Sequence, residues 1–298
     1  MRFTPGQRSG NIEDRRGAGG GRGGMAMGRP GGIAGVIVAL VLAVLGGSQV
    51  LGGGGGSGFP IEDVLKGLPP AQQPAGAEPL PGAPDPDAKL VDFVSFVLDD
   101  VQKLWAEQFR AANKTYGEAK LVLFTAAVSS GCGQASAATG PFYCQLDRTV
   151  YVDLDFFREL AKRFEAPGDF AQAYVIAHEI AHHVQNELGV ANRVRALRED
   201  NPEDSNELSV RQELQADCLA GVWAHSTFQR GLLEAGDLEE GLGAAAAVGD
   251  DRIQESVAGR VDPESFTHGT SEQRTTWFRR GFQDGNADNC DTFAPDKI

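Results

Sequence analysis

Apolar residues recur along this chain with two periods, and the alternation between those periods predicts the elements. From Ala88 onward, Leu90, Phe93, Val94, Val97, Val101, Leu104 and Trp105 return at helical spacing up to Asn113, which predicts a packed amphipathic helix. Two shorter runs, KLVLFTAAV (120–128) and TVYVDL (149–154), predict partly buried strands. The loop between them, SSGCGQASAATGPFYC, is too rich in Gly and Ser to pack by itself. Helical spacing resumes over Phe156–Phe164. It is strongest where Ile176, Ile180, Val184 and Leu188 form an i, i+4 apolar row, in a segment punctuated by Pro167-Gly168-Asp169 and Gly189. Further helices are predicted over about Glu207–Gln229, Leu238–Val257 and Ser271–Phe282, the last opening on the capping-box pattern Thr270-x-x-Gln273. The fold class expected is α+β, mainly helical, with a small sheet ahead of the central helix.

Upstream of Ala88 the pattern changes. Gly31 to Leu51 carries no charge, and its centre, IAGVIVALVLAVL, is a continuous apolar run near the lower limit for a bilayer-spanning helix. A cleaved signal peptide is the rival reading. The long preceding segment and the lack of a clean small-x-small site after Leu45 favour an uncleaved single transmembrane helix. Arginines before the run and none directly after it place the N-terminus in the cytoplasm and the folded part in the periplasm or outside the cell. The expected organisation is a cytoplasmic Arg/Gly-rich tail (1–30), an anchor in the cell membrane (31–51), a Gly/Pro-rich linker (52–88) and one catalytic domain (89–298).

Composition sharpens this in two places. The formal charge is −14, but residues 1–30 hold six Arg against Glu13 and Asp14, a net of +4, which leaves −18 for everything after them. Nucleic acid is therefore not an expected partner, and the acidity suits solubility of an exposed domain. All four cysteines, Cys132, Cys144, Cys218 and Cys290, lie beyond the apolar run, and an even count in an oxidising compartment suits two disulfides. Three connectivities are open. The spacing of Cys132 and Cys144 suits a local closure, which by elimination would pair Cys218 with Cys290. A cysteine zinc site lacks the usual CxxC pair.

The candidate chemistry lies in Gln172–Gly189, QAYVIAHEIAHHVQNELG. On a helix, His178 and His182 project from nearly the same face, and Glu179 falls about 100° from the first and about 60° from the second. Two imidazoles can grip one ion while Glu179 borders it as a general base toward a water on that ion. His183 points about 100° from His182 and is expected to be packed or hydrogen-bonded. Catalytic zinc needs a third protein ligand and an open position. In RQELQADCLAG, Glu213 and Asp217 share a face of a helix that is otherwise apolar nearly all round, so two carboxylates there need a partner. Glu213 is the expected ligand and Asp217 the carboxylate that steadies a ligand histidine. His225 lies roughly 18 Å further along that helix, too far to share the ion. His268 is a candidate oxyanion donor, with Arg274 and Tyr174 behind it. A helix-entry role, hydrogen-bonded to backbone, is equally open for His268.

HEIAHH with Glu213-x-x-x-Asp217 resembles the thermolysin-like zinc peptidases, whose ligands are two His and one Glu. More closely, the chain is similar to the bacterial family of neutral zinc metallopeptidases, through EDRRG (13–17), GPFYC (140–144), PGDFAQAYVIAHEIAHHVQN (167–186), ELQADCLAGVWAH (213–225), GDDRIQ (249–254), SFTHGTSEQR (265–274) and CDTF (290–293). The chain departs from the family pattern in the glycine-rich tail and linker. The resemblance implies a zincin-like domain holding one Zn2+ per chain on His178, His182 and Glu213, with Glu179 as base and a peptide or protein as substrate. The rival from another class is a membrane-anchored, protease-like binding or scaffold protein whose zinc is mainly structural.

Overall fold

The structure is a computed structural model that describes residues 1–17 and 85–294. Its first helix, α1 (Ala88–Ala111), buries Val91, Val94, Val97, Leu98, Val101 and Trp105 along one stripe. The chain then enters a four-stranded sheet of order β1-β2-β6-β5, built from β1 (Ile12–Asp14), β2 (Lys120–Phe124), β5 (Phe142–Cys144) and β6 (Thr149–Asp153). β1 runs parallel to β2 and β2 parallel to β6, with Leu121 opposite both Ile12 and Val150, while β5 returns antiparallel on β6.

The two-residue period of the strands divides their side chains between two cores. Leu121, Leu123, Val150 and Val152 enter the main helical core, whereas Val122, Phe124 and Tyr151 pack with Cys144 and Val128 on the opposite face. That second face is covered by the hairpin of β3 (Ala127–Ser130) and β4 (Gly133–Ser136), tied down by the Cys132–Cys144 disulfide.

After α2 (Asp155–Arg163) comes α3 (Asp169–Glu187), the central helix. It buries Ala171, Ala173, Ala177 and Ala181 as well as Ile176, Ile180 and Val184, so helices can pack close on several sides of it. α4 (Val190–Asp200), a helix the apolar pattern does not announce, follows after Gly189, whose φ of 78° is left-handed. α5 (Ser205–Gln229) crosses the central helix and packs on α8 (Ser271–Asp284) at backbone contact. A Cβ on Gly281 would stand 1.8 Å from the Cys218 carbonyl oxygen, and one on Gly221 2.1 Å from that of Phe278. The Cys218–Cys290 disulfide closes the same junction. The helix expected over 238–257 is two helices, α6 (Asp237–Ala247) and α7 (Asp250–Ala258). They break at Gly249, whose extended backbone passes so near Ser271 that a Cβ would lie 2.4 Å from its nitrogen. The capping box at Thr270 and Gln273 forms as expected.

The single-pass topology is overturned. Among the described residues no helix is long and apolar enough to cross a membrane. The N-terminal residues, expected to be a cytoplasmic tail, instead belong to the folded body: β1 extends the sheet, Phe3 packs edge-on against Phe93, and the Arg16 guanidinium meets Asp85 at 2.7 Å. A single crossing between residues 17 and 85 would put these partners on opposite sides of a bilayer. The transmembrane helix, the cell-membrane localisation and the membrane partnership all fall with it. The proposed span, 31–51, and all but the last residues of the linker lie outside the described residues.

Candidate metal centre

Three side chains meet where α3 crosses α5. His178 and His182, one turn apart on α3, turn their Nε2 atoms toward Glu213 of α5. His178 Nε2 is 3.1 Å from Glu213 Oε2 and His182 Nε2 is 3.4 Å from Oε1. One ligand atom from each of the three lies within 4.8 Å of the others.

The hydrogen bonds behind them fix the tautomers. His178 Nδ1 is 2.9 Å from Asp217 Oδ1, and a carboxylate there can only accept, so the ring proton sits on Nδ1. His182 Nδ1 is 2.9 Å from Gln185 Oε1, and the Gln185 amide is oriented because its Nε2 donates to Gln212 O (2.7 Å) and to Gln215 Oε1 (3.1 Å). Both imidazoles therefore point a bare Nε2 lone pair at the carboxylate of Glu213. Acceptors facing acceptors at this range require a proton or a cation between them. The donor set, two neutral imidazoles and a carboxylate, is the one that suits zinc with an open position. Protonation is the alternative. Burial opposes charge on both rings, but Asp217 and Glu213 push His178 up to about 10, and Glu213 raises His182. Burial likewise opposes charge on Glu213, yet the two imidazoles hold it well below the ordinary carboxylate range.

Asp217 organises the inner side. It is fully buried and accepts from His178, from the Tyr174 hydroxyl and twice from Arg274, whose Nε lies 2.8 Å from Oδ2 and Nη2 3.1 Å from Oδ1. Burial would raise its carboxyl, but Arg274 and His178 outweigh this and hold it below the usual value. Tyr174 and Arg274, considered from sequence as oxyanion donors, are thus engaged in supporting Asp217.

Glu179 occupies a different environment. It is buried, lines the same cavity as the ligand cluster, and makes no side-chain hydrogen bond among the described residues. Burial raises its carboxyl, partly offset by the two imidazoles. His268 also lines the cavity, held by Asp250 through Nδ1 (3.1 Å) and the backbone N–H (2.6 Å), which leaves Nε2 uncommitted. His183 is packed, as the helical wheel indicates: its Nε2–H donates to Gly117 O and its Nδ1 accepts from the Tyr143 hydroxyl. His225 is remote from the cluster and accepts no part in it, bonding instead to Phe282 O.

The cavity measures about 580 Å³, with Phe142, Phe156, Phe164, Val175 and Ile253 among its apolar walls. Sequence reasoning missed Gln185, which is legible in retrospect as the i+3 neighbour of His182, and Asp250, whose loop partners cannot be read from local spacing.

The profile of the family described as "Putative neutral zinc metallopeptidase" matches residues 1–293. The chain belongs to this family. It is 45% identical over 296 residues to the uncharacterized protein YpfJ of Escherichia coli strain K12, a match covering 98% of this chain and 99% of that one. It is 46% identical over 190 residues to the uncharacterized proteins Mb2605 of Mycobacterium bovis and Rv2575 of Mycobacterium tuberculosis, covering 60% of this chain and 64% of theirs. No solved structure matches. The family's description points to zinc as the metal and to peptides or proteins as the substrate class.

Proposed function

We propose that this protein is a zinc-dependent peptidase whose metal is held by His178, His182 and Glu213, with Glu179 as general base. The observation that carries this reading is the pair of bare Nε2 atoms converging on the Glu213 carboxylate beside an unpartnered Glu179. Held by these three residues, zinc would supply a water acidified toward a pKa of about 7 and a polarised carbonyl. Glu179 is placed to accept a proton and pass it to the leaving amine, a role suited to a buried carboxylate whose basicity burial raises. Asp217 keeps His178 in the tautomer that offers Nε2, and Gln185 does the same for His182. His268, which lines the cavity and is anchored by Asp250 through Nδ1, is the candidate to stabilise the oxyanion that develops as the carbonyl is attacked.

The free position of Glu179 favours an enzyme over a protein with a purely structural metal, which has no use for that carboxylate. The test is zinc analysis and hydrolysis of a mixed peptide library by wild-type and Glu179→Gln proteins. About one zinc per chain in both, with hydrolysis lost in the variant by a factor of about 100 or more, is expected. Full hydrolysis by the variant would sink the mechanism.

A further inference from the structure

The cavity wall carries one cation that the chemistry above does not use. Arg198, on α4, lines the same cavity as His178, Glu179, His182 and Glu213. Its side chain is half-buried, and its Nε is closed off from solvent with no hydrogen-bond partner among the described residues. The other guanidinium on this wall, that of Arg274, is committed to Asp217. Glu213 lies within the electrostatic reach of Arg198, but its two oxygens are aimed at the imidazoles.

A guanidinium cannot shed its proton at any pH at which the protein is folded. A buried N–H without an acceptor is therefore unfavourable until something supplies one. The group that fits a guanidinium best is a carboxylate, which it can grip with two parallel hydrogen bonds. The protein as a whole, at −14, offers anions little attraction, so discrimination in favour of an anionic substrate would have to come from a local cation such as this. We propose that Arg198 is a specificity-determining residue that receives a carboxylate of the bound peptide, either its C-terminal carboxylate or an Asp or Glu side chain. The proposal rests on reading the cavity as a peptidase site.

The test uses the full chain, loaded with zinc and carrying Glu179→Gln so that bound peptide is not turned over. Three fluorescein-tagged hexapeptides of otherwise uncharged residues serve as probes: a free acid, its C-terminal amide, and an amide with one internal Glu. At least one anionic form should bind about tenfold or more tightly than the neutral amide. Preference for the free acid assigns the C-terminal carboxylate, and preference for the Glu peptide assigns the side chain. Arg198→Gln should bring the ratio close to one, and Arg198→Lys, which keeps the charge without the fork, should retain part of it. Equal binding of all three forms, no binding of any form, or a ratio that survives Arg198→Gln with zinc content unchanged would overturn the proposal. Cleavage of the same peptides by the wild-type protein separates the two readings. Selective binding without cleavage defeats the peptidase reading and leaves the anion site, whereas cleavage without selectivity does the reverse.

Discussion

Asp217→Asn is the most informative single substitution, because it changes one charge and almost no volume at a residue on which three others depend. The carboxylate has no exposure and accepts four hydrogen bonds, two from the Arg274 guanidinium. An amide can still accept from His178 and Tyr174 through its oxygen, but its NH2 then faces Arg274 Nε, donor against donor, at a position now 2.8 Å away. The guanidinium is 3% exposed and left without its counter-charge. Removing one partner of such a buried pair costs about 3–5 kcal/mol. A second effect falls on metal binding, since weakening the acceptor behind a ligand histidine lowers affinity by about 10–100-fold. The two effects separate experimentally. Urea unfolding of metal-free protein reads the first, and competition with a chromogenic chelator reads the second. The double variant Asp217→Asn/Arg274→Gln should recover part of the lost stability but none of the lost zinc affinity, because it removes the stranded charge without restoring the acceptor. A metal-free Asp217→Asn protein within about 1 kcal/mol of wild type, or a zinc affinity within about threefold, would show that Asp217 does not hold the site together as argued.

Three other substitutions test the frame around the site. Gly281→Ala places a methyl 1.8 Å from the Cys218 carbonyl, where backbone cannot yield as a side chain can, and should cost about 3 kcal/mol or more in urea unfolding; a neutral result would mean that α5 and α8 are not in backbone contact. Replacing both Cys218 and Cys290 by Ala removes a link between residues 72 apart, worth up to about 4 kcal/mol of chain entropy in the unfolded state, and should lower the denaturation midpoint accordingly. Asp250→Asn should destabilise the protein by about 1–3 kcal/mol at pH 7, since the carboxylate accepts backbone N–H groups from Thr267, His268 and Gly269. Burial would raise that carboxyl, but His268 and these donors hold it below its ordinary value, so its contribution is complete above about pH 4 and is lost as pH falls through the depressed value. The gap between variant and wild type should therefore narrow below about pH 4, and a gap that stays constant from pH 7 to pH 3 would refute the assignment.

What the sequence made legible was local or periodic. The His178–His182 pair depends only on helical geometry, and Glu213 and Asp217 stood out because a helix that is otherwise apolar cannot bury two carboxylates without partners. The capping box at Thr270 and both cysteine pairs followed from short-range spacing or from elimination. What the sequence hid was set by distant parts of the chain. β1 is three residues long, too short for periodicity to register, and exists because β2 offers it an edge. Helix α4 has only Ala191 and Val194 buried, so no apolar stripe announces it, and Arg198 was invisible with it. The break at Gly249 depends on the approach of Ser271, twenty-two residues away in sequence. The membrane topology failed for a related reason. It rests on the apolar run and the arginines alone, whereas Arg16 also pairs with Asp85, on the far side of that run in the sequence.

Three carboxylates line or back one cavity, and their environments set them apart. Glu213 lies between two imidazoles whose charge and hydrogen bonds hold it ionised against its burial, the state that a carboxylate ligand requires. Asp217 is sealed from water but matched by a guanidinium, and so stays charged where an isolated carboxylate would take up a proton. Among the described residues Glu179 has no hydrogen-bond donor and no ion pair, and burial raises it. Carboxylates pushed in opposite directions within one site are how a protein assigns acid-base and ligand roles to chemically identical groups. By this logic, exchanging roles should fail even where geometry allows it: a donor introduced beside Glu179 would lower its basicity without touching the ligands. Such a variant should keep its zinc and its fold while its hydrolytic rate falls.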